Sequence, residues 1–486
     1  MEKHRRLPII KLPDPVVQKI FYALPRISSV SLFAPIHVVQ GIYAKHYGLS
    51  LTTIAGILLF ARLFDAITDP VIGYLSDKSR IKTGTRKPTM ILGAAVLVSS
   101  AYFLYSPPEN VSALYFAFWF MAFYLGYTLF EIPYLAWGGE ISHSSHEKNQ
   151  TYLLRTATGY VGMALFYCIP LLPIWGTTEI TPEILKFFAI VSGLLMLPLL
   201  YFCMKRVPDG RRYHEEISAV GKSGRLNQAA FRPIVNEMIH NRPLLLFFGA
   251  FLFAGSGLGM WMGLYFIYVD AYLNMGALFA EVTLISILVS MLGALILIKI
   301  AKHLGKQRTW LLSMLLGLAV FIYTACLDPG NAGYWALLTL AITMFLCFVS
   351  VEALAKSMLS DIIDYSFWKF RTYRNSTYFA LYMLIYKGAG AIGAAIGLAI
   401  ASWYGFDPSM DVQTESGIDG LKLAMSWVPL LLVIISMIFV TLSPITTRRH
   451  DIIRRRLDTL DARSKKEKVE SQVLDKDATE ALLTSH

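Results

Sequence analysis

Charge is scarce in this chain of 486 residues: Asp, Glu, Lys and Arg together make 16% of it, while apolar residues make 55% and mean hydropathy is +0.51. Soluble domains carry about 25% charged residues, so a soluble globular class is excluded. Cysteine is scarcer still. Cys168, Cys203, Cys326 and Cys347 stand singly in apolar stretches, with neither metal-ligand spacing nor a disulfide framework, and read as packing residues. No GxxxxGKS/T phosphate loop is present and no dinucleotide-binding turn is expected, which removes ATP-driven pumps and nucleotide-dependent enzymes. Nothing reads as a pore filter. No catalytic constellation and no cofactor is expected. The start, MEKHRRLPIIKLPDP, lacks the apolar core and cleavage site of a secretory signal.

What the chain does have is apolar runs of about 20 residues, the length that crosses a hydrocarbon core. Twelve are expected, near 18–43, 51–76, 88–106, 112–138, 151–174 and 183–204, then 243–270, 277–299, 309–326, 332–358, 374–402 and 421–443. The fold class is therefore an all-α membrane protein. Its expected organisation is an N-terminal six-helix half over 1–204, a linker over 205–242, a C-terminal half over 243–443 and a tail over 444–486. Lys78, Arg80, Lys82, Arg86 and Lys87 follow the second span, and seven more cations fill the linker; both belong on the cytoplasmic side. Both termini then face the cytoplasm, in a multi-pass inner or plasma membrane protein. The formal net charge of +11 is accounted for by this bias and calls for no nucleic-acid partner. The mixed-sign tail reads as a solvated helix or disordered segment near anionic headgroups.

Three charges sit where the second span crosses mid-bilayer: Arg62, Asp65 and Asp69. A central Asp or Arg costs roughly 2.5–3.5 kcal/mol on the insertion scale, so such groups usually face an internal path. Asp65 and Asp69 share one helical face, one turn apart. A hard cation such as Na⁺ prefers a cage of oxygens with carboxylates; Asp65, Asp69 and the Thr68 hydroxyl can supply it. The alternatives are H⁺ uptake on either carboxylate and simple ion pairing with Arg62.

Sliding the chain by 221 residues aligns Lys78 with Lys299, Gly84 with Gly305, Glu131 with Glu352 and Glu140 with Asp361. That is the pattern of two six-helix halves related by a parallel repeat, an architecture suited to alternating access around a midplane site. Asp65 and Asp69 fall on Ser286 and Ser290, so the carboxylate pair belongs to the first half only.

The run RLFDAITDPVIGYLSDKSRIKTGTRKP from Arg62 to Pro88 resembles the second-helix signature of the glycoside–pentoside–hexuronide:cation symporters of the major facilitator superfamily. YTLFEIPY (Tyr127 to Tyr134) is similar to that family's fourth helix, and Asp361 to Tyr382 and Lys387 to Gly397 to its last loop and eleventh helix. The resemblance implies twelve helices in two halves and symport of a sugar, glycoside or uronide with Na⁺ or H⁺. It implies a cation site of Asp65, Thr68, Asp69 and Thr128, with Asp65 and Asp69 as metal ligands if the ion is Na⁺. Substrate contacts are implied for Glu131, Arg155 and Lys387, with Arg62 beside them; for Glu131 and Arg155 a mutual tether is the alternative, and for Lys387, read as a buried cation, snorkelling is. Two departures stand out: Thr68 replaces an amide common in sodium-using relatives, and Ser29 takes the place of a helix-one aspartate, which makes galactosides doubtful and leaves nearby Arg26 to favour an anionic solute.

The loop Asp77, Lys78, Arg80, Gly84, Arg86 is expected to latch a cytoplasmic gate. Gly255, Gly259 and Gly263, and Gly393 and Gly397, recur every fourth residue and read as helix-packing sites. Aromatics such as Tyr124, Tyr127, Trp137, Tyr265, Tyr268 and Tyr382 either stack on sugar rings or fill the core. Expected partners are a small polar solute, Na⁺ or H⁺ and membrane lipid, with the chain a monomer. A lysophospholipid carrier of the same fold and a non-transporting membrane sensor are the rival readings.

Overall fold

The computed structural model describes residues 15–141, 145–209, 236–370, 375–410, 412–444, and positions 449, 452, 453 and 456. Among them all regular structure is helical, and eleven helices are long and apolar enough to cross a membrane.

The first pass is broken twice by proline. Helix α1 (Pro15–Ala23) gives way to α2 (Pro25–Phe33), and Pro35 lies in a 3₁₀ turn, Ala34–His37, before α3 (Val38–Tyr47). A proline ring clashes with the preceding turn and removes an amide donor, so each break falls where the sequence places one. Gly48 then ends the pass in the left-handed region, at φ 67°. The rest of this half is α4 (Leu51–Thr83), α5 (Lys87–Tyr105), α6 (Ala113–Ile141), α7 (Ser145–Cys168) and α8 (Pro182–Arg206). The second half holds α9 (Arg242–Ile267), α10 (Gly276–Leu304), α11 (Lys306–Cys326), α12 (Tyr334–Phe370) and α13 (Asn375–Trp403). Its last pass is α14 (Glu415–Lys422), a π turn Leu423–Trp427 and α15 (Val428–Thr441). A second π turn, Tyr268–Tyr272, extends α9.

Helix α7 is the pass not counted among the eleven. Its 24 residues span a core thickness at 1.5 Å per residue, but its opening SHEKNQ is polar. It packs against α2 and α10, inside the bundle. The whole is consistent with twelve passes in two sets of six.

Several expected bounds shift. The fifth pass ends at Cys168, not 174, because Pro170 and Pro173 turn the apolar residues after it into a series of turns closed by Trp175 Nε1 donating to Ile169 O at 2.9 Å. Helix α4 runs on to Thr83 and α12 to Phe370, past the apolar stretches, since a helix already nucleated continues into water until a cap stops it. The cap of α4 is Gly84 at φ 77°. The linker and tail lie mostly outside the described residues.

The 221-residue repeat reappears in the helix bounds. Carried by that offset, the end of α4 at 83 falls on 304, the end of α5 at 105 on 326, and the start of α6 at 113 on 334, each an observed boundary of α10, α11 or α12. Gly84 and Gly305 occupy matching positions with φ of 77° and 86°.

Close helix pairs are built on glycine. In the first half a Cβ on Gly126 would sit 2.5 Å from the Leu97 amide, so α5 and α6 touch backbone to backbone. In the second, Gly259 meets Gly390 and Gly393 meets the Ser256 carbonyl, while a Cβ on Gly255 would lie 3.0 Å from that of Ala389. This bears out the packing role expected for those glycines. The run Gly388 to Gly393 does spell GxGxxG, contrary to the expectation that no such turn exists, but it lies within continuous helix α13 and serves this contact.

The halves meet along α4 and α13, α7 and α10, and α3 and α9. At the end opposite the linker, Lys45 Nζ lies 2.8 Å from Asp270 Oδ2, Thr52 Oγ1 donates to Ser402 Oγ at 2.8 Å, and Thr178 Oγ1 donates to Ala277 O at 2.7 Å. Phe266 packs flush on Gly41, where a Cβ would come within 2.5 Å of its ring. These contacts close the bundle at that far end.

Candidate functional site

Helix α4 carries its charges beside Pro70, which offers no amide and so leaves the Ala66 carbonyl without its usual helical partner. Arg62 Nη1 donates to Asp65 Oδ2 at 2.8 Å, and its guanidinium lies over the Tyr124 ring at 4.2 Å. Lys387 Nζ, reaching from α13 in the other half, donates to Asp69 Oδ2 at 2.7 Å. Each carboxylate therefore spends one oxygen on a cation. Asp65 Oδ1, Asp69 Oδ1 and Thr68 Oγ1 are buried and have no hydrogen-bond partner. Three orphaned oxygens fall within one helical turn, and buried polar atoms are seldom left so. Thr128, on the adjacent helix α6, is buried too.

Lys387 departs from the expectation of a buried cation. Its side chain is 47% exposed, against 24% for Asp69, because it spans the gap between the halves instead of burying in its own.

A second charged group lies on α6 among α2 and α7. Glu131 Oε1 accepts a short hydrogen bond from Arg155 Nη2, and its Oε2 lies 2.9 Å from Arg26 Nη1, an ionic contact whose angle makes no hydrogen bond. Arg26 Nη1 donates instead to Tyr127 Oη at 3.1 Å. The Arg155 guanidinium also rests on the Tyr134 ring, 5.0 Å from its centre. The Glu131–Arg155 tether is thus present, and Arg26 joins it, which residue spacing alone gave no means to see. Tyr22 and Tyr134 exchange hydrogen bonds with each other's backbone carbonyls beneath it. Ser28 donates to Ser192 O at 2.7 Å and Ser29 to Arg26 O at 3.3 Å, so both hydroxyls are held within their own half.

The basic loop after α4 grips the end of α8. Arg80 donates to Asp209 O at 3.0 Å, Thr85 to Asp209 Oδ1 at 2.8 Å, and Lys87 Nζ lies 2.8 Å from the same carboxylate. Burial pushes the Asp209 carboxyl up, but hydrogen bonds from Lys87 and Thr85 outweigh it and hold the group below its usual range. Arg86 donates to Ser76 Oγ at 2.9 Å. The Arg80, Thr85 and Lys87 contacts tie the loop to Asp209, at the start of the linker. The Asp77 side chain lies outside the described residues, and Lys78 is exposed. Lys45, Asp270 and Asp209 are paired charges at the two ends of the bundle that the sequence reading passed over; each stands singly in sequence, where only the fold supplies its partner.

A family model described as MFS/sugar transport protein matches residues 29–447. An uncharacterized symporter, YjmB, of Bacillus subtilis strain 168 is 25% identical, covering 83% of this chain and 86% of its own. A putative glycoside/cation symporter, YagG, of Escherichia coli K12 is 24% identical over 85% and 88%, and a glucuronide carrier protein homolog of the same strain 22% identical over 89% and 92%. Among solved structures, an inward-facing bacterial homolog of the lysosomal transporter Spinster superposes with a TM-score of 0.62 at 14% identity, covering 88% of this chain and 96% of that one. The xylose transporter XylE of E. coli does so with 0.55 at 13%, over 89% and 96%. At such identities the superpositions speak to fold alone.

Proposed function

The chain belongs to the MFS/sugar transport protein family over residues 29–447, and on that basis we propose that it carries a sugar, glycoside or uronide across the membrane with Na⁺ or H⁺, by alternating access. One observation carries the coupling: the orphaned oxygens of Asp65, Thr68 and Asp69 lie beside an ion pair, Asp69–Lys387, that joins the two halves. Three oxygens with two carboxylates suit a hard monovalent cation as co-substrate. A proton on either carboxylate would offset the same charge. Either ion competes with Lys387 for Asp69, so its arrival loosens a cross-half tether and biases the rocking of one half against the other.

Charge also bears on the solute. Arg26, Arg62, Arg155 and Lys387 set four positive charges against three negative ones on Asp65, Asp69 and Glu131, an excess of one. A cation raises it to two. An anionic solute such as a uronide lowers it again, through Arg26 and Arg155, and by linkage each ligand strengthens the other's binding. The glucuronide carrier homolog among the relatives supports this choice. The reading makes the chain a transporter and not an enzyme, a monomer in lipid with both termini and the Arg80–Arg86 loop on the cytoplasmic side, where that loop latches the gate.

The test is flux in proteoliposomes, with glucuronate and methyl glycosides as solutes and Na⁺- and H⁺-sensitive dyes inside. Coupled flux is expected with one solute class and is expected to fall at least tenfold in Asp65→Asn and Asp69→Asn. Coupled flux that survives both changes sinks the cation site; no flux with any solute sinks the substrate class.

A further inference from the structure

The repeat places a second polar stripe where the charges of α4 would lie in the other half. By the 221-residue offset Arg62 falls on Thr283, Asp65 on Ser286 and Asp69 on Ser290, three hydroxyls along α10. All three are essentially inaccessible. Ser286 Oγ donates to Val282 O at 2.7 Å, its own helix's carbonyl. Thr283 Oγ1 and Ser290 Oγ have no partner.

Helix α9 adds two more orphans. Trp261 Nε1 and Tyr265 Oη, on fully buried side chains, also lack a hydrogen bond. Their rings stack with centroids 4.3 Å apart and planes within 17°. Tyr265 Oη is a near neighbour of Thr283 Oγ1 without a well-formed bond between them. Its ring also packs on Phe279 at 5.1 Å, and Phe279 lies 6.2 Å from Tyr167 of the first half. Through Phe279 of α10, which packs on α7 of the first half, Tyr265 therefore lies close to the interface between halves.

A buried donor without an acceptor costs roughly 1–3 kcal/mol. Keeping Trp261, Tyr265 and Thr283 without a well-formed hydrogen bond, with Ser290 two turns further along α10, makes little sense for a core that only packs, since Phe and Val would fill the same space without the penalty. It makes sense for a surface that meets a hydroxylated ligand in the other conformational state. We infer that Trp261, Tyr265, Thr283 and Ser290 form a solute subsite in the C-terminal half, which takes the uncharged, hydroxyl-bearing part of a pyranose ring. The stacked Trp261–Tyr265 pair offers a flat face to the ring, and the hydroxyls exchange hydrogen bonds with its OH groups. The carboxylate of a uronide then falls to the arginines of the first half, so the two halves read opposite ends of one solute. This assignment rests on the transport reading above.

The test has two arms. In the first, Tyr265→Phe and Thr283→Val are purified and compared with the parent in thermal unfolding without solute and in glucuronate and methyl glucoside binding. Each is expected to unfold no earlier than the parent, while affinity for the transported pyranose falls about tenfold, the effect of one lost hydrogen bond. Unchanged affinity in both variants overturns the subsite. In the second arm, which needs no solute, Thr283→Cys and Ser290→Cys are placed in a chain lacking Cys168, Cys203, Cys326 and Cys347 and challenged with a hydrophilic maleimide under opposing ion gradients. Labelling under one gradient supports the subsite; resistance under every gradient overturns it. A parent chain that binds neither pyranose counts against the proposed substrate class, and the labelling arm still decides whether these groups meet water.

Discussion

The ion pair between Lys45 and Asp270 joins the two halves at the closed far end, and breaking it has a calculable cost. Asp270 is 8% exposed and Lys45 32%. The pair thus stands between exposed bridges, worth about 0–1 kcal/mol, and buried ones, whose loss of one partner costs about 3–5 kcal/mol. Lys45→Met leaves the buried carboxylate alone in the closed state, whereas in the far-side-open state water solvates it. A penalty of about 2 kcal/mol on the closed state alone shifts the equilibrium roughly thirtyfold toward opening. Asp270→Asn should do less, because the partly exposed ammonium can turn into water. The assay is the labelling rate, from the far side, of a single cysteine at Phe279, which lies buried just inside the gate. The expected order is Lys45→Met fastest, Asp270→Asn intermediate and the parent slowest, with the exchange of the two residues restoring a slow rate. Equal rates in all four chains would refute the argument that this pair holds the gate.

Glu131→Gln removes the carboxylate that lies between Arg26 and Arg155; leaving two arginines facing each other should lower the unfolding midpoint in detergent markedly, by an amount about equal to 3–5 kcal/mol, and Arg26→Gln combined with it should recover part of the loss. Gly393→Val forces α13 away from the Ser256 carbonyl, an overpacking worth about 1–3 kcal/mol, and earlier unfolding than Gly388→Val, whose site is open, is the expected measurement. Asp209 is held below the usual carboxylate range by Lys87 and Thr85, so its contribution is complete above about pH 4 and fades as the pH falls through its lowered folded value. Unfolding curves taken toward acid should show that loss in the parent and a smaller one in Lys87→Met.

Much of this was legible because a bilayer leaves few choices. Only helices satisfy their own backbone in hydrocarbon, so apolar length alone located the passes, although α4 and α12 run 7 and 12 residues beyond their expected ends at 76 and 358. The fifth was misplaced because hydropathy reads Ile169 to Ile174 as membrane while Pro170 and Pro173 forbid the helix. Asp65 and Asp69 were visible from the cost of charge at mid-span. Their partners were not: Lys387 is 318 residues from Asp69, and no local pattern encodes that distance. The same holds for Lys45 with Asp270, 225 residues apart. Glu131 with Arg155 was open to a guess, yet Arg26 required the fold, since two proline breaks set how the first pass presents its face.

The glycine seam between α9 and α13 makes a lever of two helices. Lys387, which grasps Asp69, lies one turn before Gly390, and Gly390 presses on Gly259, two residues short of Trp261. With no side chain between them to act as a cushion, the two helices have little room to slide, and a displacement of Lys387 is delivered to the Trp261–Tyr265 stack with little slack. In the proposed cycle, an ion that frees Lys387 from Asp69 in one half would thereby bear on the aromatic stack in the other.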